Sequence, residues 1–311
     1  MTRLAALLLF AASAASAASP QTRYAGMCDA SAAVALDALH FIVADDEHNK
    51  LGIYQRGKAE PVGQVKLDKC LGTDKESDFE GAARVGNRIY WIASHARNSA
   101  GELRQDRHRF FATDMRGATV EPVGRHYAGL LADLLATPAL VNLTLAEAAR
   151  RAPEAEGGFN IEGLAAAADG SLLIGLRNPV PQGNAILIPL LNAAELVDGK
   201  GAARFGAAIR LDLGGRGIRS IERVHTGYLI AAGPPADSGT FAIYRWSGKP
   251  GDAPKPVPVN LGTLRPEALF AGPDGQVTLL SDDGGVIVGK KACKAADKRK
   301  RAFRALDIAL P

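Results

Sequence analysis

The chain has 311 residues, a formal net charge of +4 at pH 7, 47% hydrophobic residues and three cysteines. This length accommodates two ordinary domains or one large all-β domain, either of which can bury a sizeable core. Beyond the N-terminus no segment reaches the apolar length of a membrane span, so we expect no transmembrane helix.

The first nineteen residues have the pattern of a secretory signal peptide. After a short positive start, Leu4–Ala12 is an apolar run too short to span a bilayer, and Ala15–Ala17 offers a small-x-small cleavage site. We place cleavage after Ala17, with cleavage after Ala14 and a buried N-terminal helix as the alternatives. The pattern predicts a secreted or periplasmic protein.

A fifteen-residue step between polar residues recurs along the chain. The step joins Glu80 to His95, Glu162 to Arg177 and Glu267 to Asp282. Each pair brackets two apolar runs, and a dipeptide that tolerates the positive φ of a hairpin turn separates them. A further copy joins Ser31 to Asp46, and a looser copy lies near Arg219. Because both ends of a hairpin lie at one edge, the step predicts that these polar residues share an edge.

Each of the five copies is followed by two more strand-like runs, which gives four short strands per unit. In the fifth unit these runs are Gly285–Val288 and Phe303–Ile308. Four short strands repeated radially are typical of a β-propeller. The longer interval between Glu80 and Glu162 contains a helical pattern over Tyr127–Arg151.

The sequence therefore predicts an all-β protein with a five-bladed β-propeller and a helical insertion around 127–151. A six-bladed closure is the alternative. Residues 1–19 form the signal peptide in this interpretation, and residues 20–311 form a single propeller domain.

In a propeller the inner strand of each blade lines the central channel, so its polar starting residues converge on the axis. The candidate catalytic residues are Glu80, Glu162, Glu267 and His95. The candidate metal ligands are Asp45, Asp46, Asp78, Asn160 and Asp282. The candidate ligand-binding residues are Arg97, Asn98, Arg177, Asn178, Arg216 and Arg219.

These residue types allow three interpretations of the rim. Carboxylate and amide oxygens suit Ca²⁺, and a bound metal could polarise a phosphoryl or carbonyl oxygen beside a carboxylate or histidine base. The arginines could instead clamp a carboxylate or phosphate ligand directly. In the third interpretation the carboxylates and arginines pair with one another and plug the channel.

The positive charge is concentrated near the C-terminus. Residues 290–304 contain eight basic residues and one acid, a net +7, so the rest of the chain carries −3 (4 − 7). Such a run is typical of a solvated loop, with a patch for anionic polymer or lipid as the alternative. The balance predicts no nucleic-acid partner.

An odd number of cysteines in an oxidising compartment predicts one disulfide and one spare thiol. Cys70 and Cys293 lie in polar connecting segments, whereas Cys28 lies in an apolar stretch. We therefore predict a Cys70–Cys293 disulfide and a free, structural Cys28.

Several short sequence segments resemble the bacterial family catalogued as domain of unknown function 3616. They are Gly26–Ala30, Asp78–Ala83, Trp91–His95, Phe159–Ala165 and Arg216–Ile221. The resemblance covers nearly the whole mature chain and implies a secreted or periplasmic propeller without an established catalytic assignment. The Glu-Gly-(Leu/Ala)-Ala phrases are also similar to esterase-like phytase propellers, which implies phosphoester chemistry by analogy.

The sequence as a whole predicts an extracytoplasmic, monomeric propeller that binds an anionic ligand at its polar rim. Calcium is the candidate cofactor and phosphoester hydrolysis the candidate reaction, so an enzyme would be a hydrolase of the phosphoesterase or esterase type. The alternative is a non-catalytic binding or interaction scaffold with a salt-bridged channel.

Overall fold

The computed structural model describes residues 21–308, which form five four-stranded antiparallel sheets arranged as a five-bladed β-propeller. The predicted fold class is therefore confirmed, with five blades in this range rather than six. The signal peptide predicted over residues 1–19 lies outside the described residues.

The first strand, β1 (Thr22–Ala25), precedes four blades that are each built from consecutive strands. Blade 1 contains β2 (Ala30–Ala35), β3 (His40–Asp45), β4 (Lys50–Gln55) and β5 (Gly63–Lys66). Blade 2 contains β6 (Phe79–Val85), β7 (Arg88–Ala93), β8 (Phe110–Arg116) and β9 (Thr119–Tyr127). Blade 3 contains β10 (Asn160–Ala166), β11 (Leu172–Asn178), β12 (Asn184–Leu190) and β13 (Ile209–Asp212). Blade 4 contains β14 (Gly217–Val224), β15 (Gly227–Gly233), β16 (Ala242–Trp246) and β17 (Lys255–Val257).

The fifth blade joins the two ends of the chain. Its inner strands are β18 (Pro266–Ala271) and β19 (Val277–Ser281); a small hairpin of β20 (Ile287–Val288) and β21 (Lys291–Ala292) follows, and then β22 (Ala302–Ile308). Strand β22 pairs with β19 on one side and with β1 on the other. The N-terminal strand thus supplies the fourth strand of this blade and closes the ring.

The expectation that Gly285–Val288 is a strand of blade 5 is wrong. Ile287 and Val288 pair with Ala292 and Lys291 in the small hairpin, outside the blade. Strand β1 occupies the outer position, where Tyr24 stacks on Phe303 with ring centroids 5.5 Å apart. An aromatic pair of this kind buries apolar surface that the short Ile287–Val288 strand does not offer.

Short helices lie in the connections. They are α1 (Asp68–Leu71), α2 (Leu130–Ala136), α3 (Leu145–Ala148) and α4 (Ala193–Val197), with 3₁₀ turns at Gln105–Arg107, Pro138–Leu143, Pro181–Gly183, Cys293–Ala295 and Lys298–Lys300. Helices α2 and α3 confirm the helical insertion, and its leucines pack against blades 2 and 3. Over residues 21–308 we find no helix with the length and apolarity needed to cross a membrane.

The core is distributed between neighbouring blades. Separate clusters of buried apolar side chains lie at each junction around the ring, and each inner strand contacts the inner strands of both neighbouring blades. Some junctions leave no room for side chains: a Cβ on Gly163 would lie 2.8 Å from Ile218 Cγ2. This close approach fixes the inner strands tightly around the channel.

The disulfide joins Cys28 to Cys293, so the predicted Cys70–Cys293 pair is wrong. Blades 5 and 1 are neighbours in the closed ring, and Asp283 N–H donates to the Cys28 carbonyl at 3.0 Å. The connection after β19 is thereby held beside the start of β2. Cys70 is a free, half-buried thiol in α1, between blades 1 and 2. A disulfide is typical of proteins outside the cytoplasm.

Replacing Cys28 should destabilise the fold, because its bond to Cys293 closes a loop with a sequence separation of 265 residues. We expect Cys28→Ser to lower the free energy of unfolding by about 2–4 kcal/mol, measured by urea denaturation. Cys70→Ser is the matched control and should change it by less than about 0.5 kcal/mol. A peptide map of the oxidised protein that contained a Cys70–Cys293 crosslink would contradict this assignment.

Candidate functional site

A β-bulge recurs at the start of every inner strand. At each bulge the pairing with the second strand skips one residue, and the skipped residues are Ser31, Glu80, Glu162, Arg219 and Glu267. A bulge leaves its extra residue outside the ladder and re-aims its side chain. We call this end of the channel the bulge rim. The residues that began the fifteen-residue step are the bulged residues.

Arg219 connects the carboxylates of blades 3, 4 and 5. Its Nε lies 2.8 Å from Glu162 Oε2, and its Nη2 contacts Glu267 Oε1. Arg177 Nη1 lies 3.1 Å from the other oxygen of Glu162. The predicted proximity of Glu162 and Arg177 is thus present, and four buried side chains form one ion-paired chain, Arg177–Glu162–Arg219–Glu267.

The two arginines of this chain have further protein partners. Arg177 donates to the carbonyls of Pro234 at 3.4 Å and Ala236 at 3.1 Å. The Arg219 guanidinium lies over the Phe241 ring, 5.9 Å from its centroid. Burial lowers the pKa of Arg219, and the Glu162 carboxylate opposes that effect. This half of the rim corresponds to the salt-bridged interpretation, because both guanidinium groups already have carboxylate partners.

The opposite half of the rim, at blades 5 and 1, has an excess of carboxylates. Asp29, Asp46 and Glu47 each place one carboxylate oxygen within 4.8 Å of the others. Asp282 is close enough to Asp29 that burial and a hydrogen bond between them raise the pKa of Asp29 to about 8. Burial, followed by the charge of Asp29, also raises the pKa of Asp46. We call Asp29, Asp46, Glu47 and Asp282 the acid cluster.

Two cationic side chains approach the acid cluster. Lys294 Nζ lies 3.3 Å from Glu47 Oε1, and Arg265 Nε lies 4.0 Å from Asp282 Oδ2. The pKa of about 8 keeps Asp29 largely protonated at neutral pH. When all four carboxylates are ionised, as in a metal site, the two cations leave two formal negative charges (4 − 2) unbalanced. The unbalanced charge equals that of one divalent cation.

Two further observations concern the packing and the hydrogen bonding of the acid cluster. A Cβ on Gly284 would lie 1.6 Å from Asp29 Oδ1, so the Asp29 carboxylate packs directly on the Gly284 backbone. Asp46 Oδ1 is buried and has no hydrogen-bond partner among residues 21–308. A buried oxygen of this kind is costly unless something compensates it.

Glu80 lies between the two halves of the rim. In the described part of the chain it has neither an ion pair nor a hydrogen bond. Burial, and then the charges of Glu162 and Asp78, raise the pKa of Glu80 well above its usual value. Its neighbour Asp78 is ion-paired with Arg107 at 2.7 Å, and burial nevertheless raises the pKa of Asp78 to about 7. Glu80 therefore holds its proton to a higher pH than an ordinary glutamate does.

His95 is buried, and among residues 21–308 it forms no hydrogen bond with Glu80, its partner in the fifteen-residue step. Its Nδ1 lies 2.8 Å from the Ala93 carbonyl, and its ring stacks on His108 with centroids 5.5 Å apart. Burial, and then the charge of His108, lower the pKa of His95 to about 3. His95 is consequently a neutral histidine whose Nδ1–H donates to the Ala93 carbonyl.

The remaining predicted site residues bond to nearby loops and strands. Three of them donate to backbone carbonyls: Arg97 to Ala149 at 2.9 Å, Asn178 to Pro153 at 2.8 Å and Arg216 to Thr240 at 3.0 Å. Asn98 and Asn160 donate to the carboxylates of Glu102 and Glu162, each at 2.8 Å. Asp45 forms an ion pair with Lys50 at 2.9 Å. Of the predicted metal ligands, only Asp46 and Asp282 lie in the acid cluster. Sequence reasoning missed Glu47, although the Asp45-Asp46-Glu47 triplet after β3 was an available signal.

A groove of about 530 Å³ opens beside the arginine half of the rim. The helical insertion supplies one wall through Leu143 and Thr144, and the loop after β11 supplies another. Glu154 and Ala236, which line it, also contact Arg177. A ligand in this groove would therefore lie beside the ion-paired chain.

The middle of the chain matches a known family. Residues 112–260 match the DUF3616 family model. The family's description is a protein of unknown function, and the match confirms the predicted resemblance over a range that includes Phe159–Ala165 and Arg216–Ile221. The other three segments that carried the resemblance lie outside this range, so its extent over nearly the whole mature chain stays a prediction. No curated protein matches the chain. The similarity to esterase-like phytases stays a prediction.

Solved structures with a similar fold have varied descriptions. A putative oxidoreductase (glucose dehydrogenase) from Thermus thermophilus is 13% identical, with a TM-score of 0.47 over 92% of this chain and 100% of that one. A GH43 protein from Bacillus licheniformis is 10% identical, with a TM-score of 0.47 over 84% of this chain and 50% of that one. A protein of unknown function from Bacteroides caccae is 12% identical, with a TM-score of 0.39 over 80% of this chain and 67% of that one. Such low similarity carries no information on ligand or reaction.

Removing Arg219 should be severely destabilising, because Glu162 and Glu267 would remain buried without their shared cation. We expect Arg219→Gln to lower the free energy of unfolding by about 3–5 kcal/mol, measured by denaturant unfolding. The control is Arg116→Gln, which removes an exposed pair with Glu121 and should cost less than about 1 kcal/mol. Equal effects of the two substitutions would show that the buried chain contributes no more than a surface pair.

Proposed function

We propose that this propeller is an extracytoplasmic protein that binds Ca²⁺ at the acid cluster and, through the cation, an anionic ligand at the bulge rim. The observation that carries the proposal is the buried, unpartnered Asp46 Oδ1, which lies in a cluster of four carboxylates approached by only two cations among residues 21–308. The disulfide and the predicted signal peptide support a location outside the cytoplasm.

The donor set suits calcium. Ca²⁺ takes six to eight oxygen ligands, and carboxylates can bind it through one or both oxygens. Asp29, Asp46, Glu47 and Asp282 would hold the ion, and the hard carboxylate donors disfavour soft transition metals. Among residues 21–308 the Lys294 ammonium forms its one ion pair with Glu47, so Asp29 and Asp46 keep oxygens available for a cation. A bound cation would supply positive charge at a rim that is otherwise acidic.

The cation explains how an anion could bind here. Arg177 and Arg219 are already paired with Glu162 and Glu267. Neither guanidinium group is therefore free to donate two parallel hydrogen bonds to a phosphate or carboxylate of a ligand. Coordination positions that the protein leaves open would receive the anionic group of the ligand. The groove beside the helical insertion offers room for the rest of an extended ligand.

Calcium should stabilise the mature protein measurably. Free Ca²⁺ at 100 times its Kd should add about 2.7 kcal/mol to the free energy of unfolding by mass action, seen as a rise in Tm that chelator reverses. Asp46→Asn should abolish the shift and the heat of binding in calorimetry, because it removes a charged ligand at the centre of the cluster.

Asp198→Asn is the matched control, since Asp198 pairs with Lys200 on the exposed surface. This variant should respond to Ca²⁺ like the unmodified protein. The absence of a Ca²⁺-dependent shift in the unmodified protein would overturn the proposal and leave the salt-bridged scaffold as the better account.

A second candidate function, phosphoester hydrolysis, is favoured by Glu80. Its raised pKa and lack of a described protein partner suit a general acid. Water would add to phosphorus while the ester P–O bond breaks, and the leaving alkoxide would take the Glu80 proton. The proton lost by the attacking water would restore the acid form of Glu80.

Glu80→Gln should separate binding from hydrolysis. We expect phosphate release from a panel of phosphomonoesters to fall by about 10²–10⁴-fold, while the Ca²⁺-induced rise in Tm persists. The rate should also decline as pH rises through the raised pKa, because the acid form is lost. Undetectable phosphate release in the unmodified protein, with Ca²⁺ binding intact, would support the binding protein alone.

A further inference from the structure

The opposite end of the channel is formed by the hairpin turns between the first and second strands of the blades. A cavity of about 850 Å³ lies there, and all five blades contribute to it. Its walls include Ala35 of blade 1, Gly86 of blade 2, Ala166 of blade 3, Thr226 of blade 4 and Gly272 of blade 5. We call this end the turn-side mouth.

Three guanidinium groups line the turn-side mouth together with His225. Arg84 donates to the carbonyls of Gly86 at 2.9 Å and Ala35 at 3.2 Å, and Arg223 donates to the Ala167 carbonyl at 3.3 Å. Arg245 is half-buried, and its Nε has no hydrogen-bond partner among the described residues. Within residues 21–308 none of the three is ion-paired with a carboxylate, in contrast to the arginines of the bulge rim.

The acids near the turn-side mouth do not neutralise these arginines. Glu222 lines the cavity, but burial raises the pKa of its carboxyl to about 8, and it accepts a hydrogen bond from Ala271 N–H at 3.2 Å. The acids of the blade turns do not line the cavity. Each accepts a hydrogen bond within its own turn, Asp37 from His40 N–H, Asp169 from Ser171 N–H and Asp274 from Gln276 N–H. The lining of the cavity therefore carries net positive charge at neutral pH.

We propose that the turn-side mouth is a second binding site, for an anion with a phosphate or carboxylate group, and that Arg84, Arg223 and Arg245 recognise it. Guanidinium forks match both oxyanions and pair with them through two parallel N–H donors. The carbonyl contacts of Arg84 and Arg223 orient these groups without cancelling their charge. The buried Arg245 Nε gains the acceptor that it otherwise lacks.

The site is separate from the proposed calcium site. The acid cluster and the bulges lie where the inner strands begin, and the turn-side mouth lies where the same strands end. Binding at the turn-side mouth should therefore require no divalent cation and should persist in Asp46→Asn.

Isothermal titration of the unmodified protein with pyrophosphate and, separately, with citrate tests the proposal in the presence of chelator. We expect saturable binding of one or both anions that weakens at high salt, since the contacts are electrostatic. Arg245→Gln and Arg223→Gln should each weaken binding at least about tenfold. Arg210→Gln is the control, because Arg210 is exposed on β13, away from the cavity.

Each outcome bears on the proposal. Binding of pyrophosphate alone identifies a phosphate site, binding of citrate alone identifies a carboxylate site, and binding of both supports the shared chemistry. If neither anion binds, or if Arg223→Gln and Arg210→Gln bind alike, the assignment is overturned. Arg223 is exposed, so its replacement keeps the test valid even if Arg245→Gln fails to fold.

Discussion

The bulge at the start of each inner strand is the constraint on which the rest of the site depends. In an uninterrupted ladder the side chains would alternate between the two neighbouring blades. One skipped residue per strand breaks that alternation where the strand enters the channel, and it brings Glu80, Glu162 and Arg219 to the axis. Ion pairs between buried arginines and carboxylates organise one side of the rim. On the other side, burial and neighbouring carboxylates raise the pKa values of Asp29 and Asp46.

Ring closure creates the acidic half of that rim. Asp29 follows Cys28 directly, and Cys28 is bonded to Cys293 in the connection between β19 and β22 of blade 5. The pairing of β1 with β22 and the disulfide together hold the start of blade 1 beside the end of β19. Asp29 and Asp282 are distant in sequence but adjacent in space because the ring is closed. The stability of the propeller and the geometry of the proposed calcium site thus rest on the same junction.

The charged side chains at the two ends of the channel have different kinds of partner. At the bulge rim the arginines are buried and bonded to carboxylates, and the carboxylates outnumber the cations at blades 5 and 1. At the turn-side mouth the arginines bond to backbone carbonyls, and Glu222 favours its neutral form. These differences are the basis for proposing a cation site at the bulge rim and an anion site at the turn-side mouth.

The sequence by itself determined the local features, because strand alternation, turn dipeptides and helical periodicity act over a few residues. They indicated the five blades, the helical insertion and the bulged residues, and the fifteen-residue step paired Glu162 with Arg177. Contacts between distant parts of the chain had no such local signal. Only the tertiary structure decided the Cys28–Cys293 bond, the role of β1 in blade 5, the partners of His95 and the inclusion of Glu47 in the acid cluster. These depend on which blades become neighbours when the ring closes and on how deeply each group is buried.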